Sequence, residues 1–556
     1  MTHNRWLAGV TIAALTLLGF FVFPGHAFLW SDTQIYIPML EHMRDPSLLA
    51  GDLVATRPHV SYTIYDEVTL LMARLGGGDL ESALVAQQLL FRAVAILGIF
   101  LVGSALGLTT PMALLVSGVY ALGATISGPA VLTVEYEPVP RGFALPFVLL
   151  AIGLASHGKL LGAGVAGAAG FLYHPPTVIP FWFLFGLWAV IGRGPDRRRR
   201  LAALLPAAGA ALLLLVLAHW QPGVKEPQVL FGVIDPEWAR LQQLRAPYNW
   251  ISKWGSQWIQ QYELLGIVSL LALLRLRGPA PPVLRWMLAG LPVYGLAMMF
   301  VSYRVLELGN WTLVPQLQPA RAVLFITLLA ATGAAAAGIH EIARERYWRG
   351  LAWFVFAYVV PAQPEALRVL LPDLRQELWE RRAAVVLIAA GLAALAAWSE
   401  SKRKRWALGA WAVALLAPFF LIPGFGKLVN FTAVESVALD ELAGWARANT
   451  PKDAVFLFPE AEKGQAPGVF RARASRTVYV CWKAGGQVNF LRSSGLEWWD
   501  RWQNTMEGGF DPARLEHYTA RGISHLVIGA KSGLGSRAPV YESETYRVYQ
   551  LTGSPR

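Results

Sequence analysis

The chain alternates between long apolar blocks and short polar breaks. Apolar runs fall near residues 7–29, 83–107, 111–127, 143–156, 160–173, 177–192, 201–218, 262–274, 286–302, 322–339, 351–361, 383–398 and 406–423. A helix needs about 20 apolar residues to cross a bilayer, fewer when flanking groups reach back to the interface. The pattern therefore predicts about 13 transmembrane helices. The block at 351–361 is short enough to be re-entrant instead. The first block is longer than the apolar core of a signal peptide, so we read it as an uncleaved span despite the small-residue stretch Gly25-His26-Ala27.

After about residue 430 the pattern changes. Ala438 to Ala448 reads as an amphipathic helix. Ala454 to Phe458, Thr477 to Val480, His525 to Ile528 and Tyr546 to Leu551 read as short strands, with helical stretches near 496–505 and 512–521 between them. The expected architecture is a mainly α, polytopic membrane protein: a multi-span region over 1–430 and a small α/β domain over 431–556.

Composition agrees with the pattern. Of 556 residues, 55% are hydrophobic and only 15% charged, and the mean hydropathy is +0.42. A soluble chain carries about a quarter charged residues, so a disordered chain and an ordinary cytosolic enzyme are excluded. The net charge of +12 sits in short clusters between apolar blocks, which fits the positive-inside rule and not a nucleic-acid-binding patch. With a cytoplasmic N-terminus, Lys159, Arg197 to Arg200, Arg275 with Arg277 and Arg285, Arg344 to Arg349 and Lys402 to Arg405 all fall inside. The outer face then receives a long loop at 30–82, a loop at 128–142, a turn at 173–176, a Trp-rich loop at 219–260, the segments 303–320 and 362–382, and the tail. This places the chain in the inner (cytoplasmic) membrane with its C-terminal domain extracytoplasmic. Trp220, Trp238, Trp250, Trp254 and Trp258 suggest helices lying at the membrane interface. The single cysteine, Cys481, excludes an intramolecular disulfide.

Candidate chemistry gathers in the outer segments. Asp32 follows the first span at once, within reach of a lipid headgroup; Asp52 and the pair Asp66-Glu67 share its loop, where a solvated charge is the plainer account of the pair. Glu135 and Glu137, in Val134-Glu-Tyr-Glu-Pro-Val-Pro-Arg141, project to one side of an extended segment and repel unless a divalent cation or an arginine offsets them. Arg141 either supplies that offset or holds a phosphate with its planar fork. His174, in the turn Tyr173-His-Pro-Pro176, either bonds a phosphate, acts as a base or simply satisfies the turn. Gln318 and Arg321 open a span, with Arg304, Glu307 and Asn310 ahead of them; an outward-facing arginine either binds phosphate or snorkels. Arg92 lies inside a span and calls for a carboxylate partner. Trp498-Trp499-Asp500 sits on a helix whose tryptophans serve docking or core packing before substrate contact, and Gly162 to Gly170 is a close-packing helix face.

An aspartate directly after the first span, an acidic pair in a later outer loop, many spans and an outer C-terminal α/β domain together resemble the GT-C superfamily of membrane glycosyltransferases. That group includes protein mannosyltransferases, aminoarabinose transferases and oligosaccharyltransferases. The resemblance implies a polyprenyl-phosphate sugar donor entering from the membrane, an acceptor that is a lipid, glycan or protein, and Asp32 as catalytic carboxylate. It also implies that Glu135 and Glu137 match the second acidic motif, which in metal-using members helps to hold a divalent cation, Mg2+ or Mn2+. Arg141, Arg321 and His174 would serve the donor phosphate. Asp32 lacks an adjacent acidic partner, and Arg501 and Trp502 follow Trp498-Trp499-Asp500 where oligosaccharyltransferases have tyrosine and glycine. A transporter or lipid flippase, and a non-catalytic envelope-assembly protein, are the other classes such a pattern allows.

Overall fold

A computed structural model of the chain describes residues 2–60, 62–192, 197–220, 231–362, 376–429 and 436–551. The expected domain boundary near 430 and most of the loop 362–382 lie outside these residues. In the first half the helices are α1 (Thr2–Phe21), α2 (Thr33–Arg44), α3 (Tyr65–Leu75), α4 (Leu80–Ala105), α5 (Thr110–Ala121), α6 (Pro140–Ser156), α7 (Leu160–Tyr173), α8 (Pro175–Ile191), α9 (Arg197–Ala202), α10 (Leu205–Trp220) and α11 (Pro236–Arg245). The second half carries α12 (Ser256–Leu276), α13 (Pro282–Ser302), α14 (Val314–Leu317), α15 (Val323–Ala343), α16 (Tyr347–Ala362), α17 (Gln376–Ser401), α18 (Ala407–Phe420), α19 (Val437–Asn449), α20 (Ala466–Ala474), α21 (Arg492–Thr505) and α22 (Leu515–Ala520). Each of the thirteen apolar blocks overlaps a helix, but the first ends at Phe21 instead of 29, the block 111–127 leaves its helix at Ala121 and runs into a short strand, and the block 201–218 is split between α9 and α10. Among the described residues, seven helices are long and apolar enough to cross a membrane, and five more are apolar but shorter. The chain is thus a multi-pass membrane protein of mainly helical fold.

The bundle is built around α15, which is buried along nearly its whole length. Small residues let the helices approach. A Cβ on Gly98 of α4 would stand 2.5 Å from the backbone of Leu149 in α6, and one on Gly153 would stand 2.8 Å from the Gly98 carbonyl. Backbones this close gain dispersion that bulkier side chains would forbid. The glycines of α7 behave as expected, Gly164 meeting the Ala203 carbonyl and Gly170 that of Ala144.

Helix starts follow local chemistry. Asp79 caps α4 through the Ser82 N–H at 2.8 Å, and Asp235 caps α11, which opens with Pro236. A short antiparallel ribbon, β1 (Thr125–Ile126) with β2 (Val131–Leu132), precedes α6.

The C-terminal region holds a five-stranded sheet. Its strands are β3 (Val455–Leu457), β4 (Thr477–Val478), β5 (His525–Gly529), β6 (Tyr541–Glu542) and β7 (Tyr546–Gln550), in the order β4-β3-β5-β7-β6. β3 runs parallel to both β4 and β5, while β7 is antiparallel to β5 and β6. The apolar runs that marked these strands are buried in the sheet.

The 30–82 segment is clamped to this region. A Cβ on Gly468 of α20 would stand 2.0 Å from the Gln34 side-chain oxygen of α2. Arg471, also on α20, donates to the Gln34 carbonyl at 2.7 Å and lies 3.6 Å from Asp52. Asp52 itself is fully buried; it accepts from the N–H groups of Val54, Ala55 and, across the junction, Val478. Asp52, a candidate site residue by sequence, is therefore a structural clasp.

Two further expectations change, and a third is met. Asp66 is buried on α3, where burial first and then the neighbouring Glu67 push its carboxyl up to about 8; it is no solvated loop charge. Trp238, Trp250 and Trp254 are buried in protein, with the Trp238 indole donating to the Val488 carbonyl at 2.7 Å. Trp238 and Trp250 dock α11 and its neighbouring turns onto Val488 of the C-terminal region, and Trp254 packs against Gly128 and Tyr262, so none of the three lies on lipid; Trp220 alone of the five is strongly exposed. Trp498 is fully buried and packs edge-on or tilted against Trp482, Trp499 and Trp502, the core packing expected of it.

Candidate active site

Asp32 occupies the N-cap position of α2, eleven residues past the end of α1 at Phe21. The loop between the ribbon and α6 brings Glu135 and Glu137 beside it. Glu137 is buried and pins the backbone around Asp32: its carboxylate accepts from the Ser31 and Asp32 N–H groups at 2.8 Å each and from the Thr33 hydroxyl at 2.5 Å. Burial, then the charge on Asp32, raise the Glu137 carboxyl above its usual range.

Arg141 stands in the first turn of α6 and bridges two carboxylates. Its Nη1 lies 2.5 Å from Asp32 Oδ2 and its Nε 2.7 Å from Glu135 Oε1. A rigid fork with several donors can satisfy both at once. Arg141 thus offsets the acidic residues, spanning from Glu135 to Asp32.

The second cation on Asp32 is one that sequence reasoning missed. Lys483 Nζ lies 2.7 Å from Asp32 Oδ1 and 2.7 Å from Ser31 Oγ. It belongs to the turn after β4, in the C-terminal region, and Arg245 of α11 holds that turn through the Trp482 carbonyl at 2.9 Å. Burial alone would raise the Asp32 carboxyl; Lys483 and then Arg141 overcome that and hold it well below the usual carboxylate range. The sequence did carry a signal for Lys483, a basic residue just past the carboxyl end of a parallel strand, where α/β sheets place ligand-binding groups.

Arg321 lies across the same cavity. Gln318 adopts a left-handed conformation at the end of α14, φ 49°, and the chain turns there so that Arg321 precedes α15. Gln318 accepts from Arg321 Nη1 at 2.5 Å, and the guanidinium sits over the Tyr248 ring, 4.8 Å from its centre. Among the described residues the buried Arg321 Nε has no hydrogen-bond partner.

A cavity beside these groups is lined by Arg92, Glu135, Glu137, Arg141 and Arg321 among others. Its wall continues into an apolar cavity between α4, α6, α13 and α15, with Phe325 common to both linings. A third cavity shares Tyr120 and Thr133 with the first.

Arg92 meets backbone carbonyls and not the carboxylate side chain that its place in a span called for. It donates to Gly19, Gly25 and Glu135 carbonyls at 2.7, 2.7 and 2.8 Å. His174 caps α8 through Thr177, and burial holds its imidazole well below the usual range, so it is a neutral turn residue and not a cationic clamp. Arg304 is exposed and lies against the Phe300 ring, outside the cavity.

The acidic residues do not fit a divalent cation. Glu137 is occupied by three protein donors, Glu135 by Arg141 and the Leu132 N–H, and Asp32 by Lys483 and Arg141. Among the described residues no group of three or more His, Cys, Asp or Glu side chains is arranged to hold a metal. The charge balance favours an anion instead. Arg92, Arg141, Arg245, Arg321 and Lys483 surround three carboxylates, and among the described residues Arg92, Arg245 and Arg321 form no carboxylate ion pair.

A family model described as a domain of unknown function (DUF6798) matches residues 438–505. No curated protein matches the chain in sequence. Among solved structures, the chain is similar to the crystal structure of ArnT from Cupriavidus metallidurans bound to undecaprenyl phosphate, at 13% identity and a TM-score of 0.48, with 99% of each chain covered. It is also similar to the arabinofuranosyltransferase AftD from Mycobacteria, at 15% identity and a TM-score of 0.44, covering 100% of this chain and 40% of that one.

Proposed function

We propose that this chain is an integral membrane glycosyltransferase that moves a sugar from a polyprenyl-phosphate-linked donor to an acceptor hydroxyl at the extracytoplasmic face. The observation that carries this reading is the surplus of cations around Asp32, Glu135 and Glu137, beside a cavity lined by Arg92, Arg141 and Arg321 whose wall runs into apolar space. A phosphate ester with a long apolar tail matches both halves: its head answers Arg141, Arg321 and Lys483, and its tail answers the apolar lining.

In the transfer step the acceptor oxygen attacks the anomeric carbon. The bond from that carbon to the phosphate oxygen breaks, and its electron pair leaves with the polyprenyl phosphate. The acceptor proton passes to the Asp32 carboxylate. Arg141, Arg321 and Lys483 stabilise the charge that builds on the departing phosphate. Glu137 does not take part in bond changes; it fixes the backbone that presents Asp32. No step is assigned to a metal.

The test is release of polyprenyl phosphate by the purified chain, offered a panel of polyprenyl-monophosphate sugars with a hydroxyl acceptor. Asp32→Asn is expected to lower release by roughly 10²–10⁴-fold, while Arg304→Gln, remote from the cavity, leaves it unchanged. Release at the wild-type rate by Asp32→Asn, or by no donor with the wild type, overturns the proposal.

A further inference from the structure

Both oxygens of the Asp32 carboxylate face a cation, Oδ1 toward Lys483 and Oδ2 toward Arg141. A carboxylate so covered keeps lone pairs to spare, but the two cations hold its charge in place and make it a poor acceptor for the proton of an incoming hydroxyl. The two cations are not equally fixed. Arg141 has a second carboxylate, Glu135, at 2.7 Å and is built into α6. Among the described residues the Lys483 ammonium hydrogen-bonds only the neutral Ser31 hydroxyl besides Asp32, with Glu137 within electrostatic reach, and it is a point charge on a flexible four-carbon stem. Asp32 cannot easily withdraw, because Glu137 holds the N–H groups of residues 31 and 32. If one partner moves, it is the lysine.

We propose that Lys483 is an exchangeable counter-ion: it neutralises Asp32 while the cavity holds no anion, and it passes to the phosphate of an arriving phosphate monoester or diester, uncovering Asp32 Oδ1. The C-terminal region thereby ties exposure of the base to occupancy of the cationic cavity. The exchange rests on the transferase reading only for its purpose; as a binding event it stands apart from turnover.

Exchange has a signature that a static clamp lacks. Asp32 competes with the ligand for Lys483, so removing the Asp32 charge should tighten anion binding. Binding is measured on the full-length chain in detergent with farnesyl phosphate, with inorganic phosphate as a second probe and farnesol as the uncharged control. Asp32→Asn is expected to bind farnesyl phosphate about tenfold or more tightly than the wild type, and Lys483→Met about tenfold more weakly. In the double variant the gain from Asp32→Asn shrinks, since no ammonium is left to release. Lys483→Arg keeps the charge and should bind near the wild-type level, which separates loss of the cation from loss of the fold.

Unchanged or weaker binding by Asp32→Asn, with Lys483→Arg folded and binding, overturns the exchange. The same pattern with inorganic phosphate supports exchange driven by the phosphate alone. The pattern with farnesyl phosphate only supports exchange driven by a lipid headgroup. Tighter binding by Asp32→Asn in a chain that transfers no sugar keeps the exchange and removes the transferase reading.

Discussion

Arg141 shows how one side chain can organise a site. Its guanidinium reaches Asp32 and Glu135 at once, a geometry that a single ammonium cannot reproduce. Arg141→Lys is therefore expected to lower transfer on the order of 10²-fold, with the largest part in kcat, because the departing phosphate loses an oriented donor; steady-state kinetics on the purified variant check this. A different charge pair holds the structure. Arg471 and Asp52 are both almost wholly inaccessible, so Arg471→Met leaves a buried carboxylate with its backbone donors but no cation. Such an orphaned charge costs about 3–5 kcal/mol. The variant should unfold in the C-terminal region at lower temperature, by thermal scanning in detergent, while a conservative Arg471→Lys loses less.

Among the elements, the turn after β4 matters most, since it carries Lys483 to a site otherwise made by the 30–82 segment and the loop before α6. Its delivery depends on the sheet, and the sheet has a pH dependence of its own. His525 on β5 is buried, stacks on Phe456, and is held neutral down to about 4 because burial disfavours its charged form. Unfolded, it takes a proton near the ordinary histidine value of about 6.5. Between these values the unfolded chain binds more protons, so stability rises with pH, and it is lost as pH falls from about 6.5 towards 4. His525→Phe should flatten that slope; melting temperatures measured across this pH range would detect it, and an unchanged slope would place the acid sensitivity elsewhere. Helix contacts follow simpler rules. The α4–α6 approach through Gly98 and Gly153 positions Arg92 and Arg141 relative to each other, and it was announced in the sequence only as small residues within apolar blocks.

At the scale of the whole molecule the proposal needs one orientation, with the Asp32 cavity facing outward and the basic clusters inward. The lone native cysteine, Cys481, is buried, so single cysteines can report topology. Lys452→Cys, exposed in the C-terminal region, should react with a membrane-impermeant maleimide in intact spheroplasts. Lys402→Cys, in an expected inside cluster, should react only after permeabilisation. The reverse pattern would remove an extracytoplasmic site.

The pattern of apolar blocks was sufficient for the helical membrane architecture, because bilayer thickness imposes a length and polarity that any span must show locally. The strands of the tail were legible for a similar reason: short apolar runs such as His525 to Ile528 have to be buried on both faces. Asp32, Glu135, Glu137, Arg141 and Arg321 could be singled out because polar residues at the ends of apolar blocks have few places to go. Which of them meet could not be read. Lys483 lies 451 positions from Asp32, and no local spacing relates them. Asp52, Arg304 and His174 look like site residues in one dimension and are a clasp, a surface charge and a helix cap in three. The sequence by itself determined the elements and the chemistry available, since both depend on side chains and their immediate neighbours. Only the tertiary structure decided which charges pair, because electrostatic pairing depends on distance and burial, and these are set by how remote segments pack.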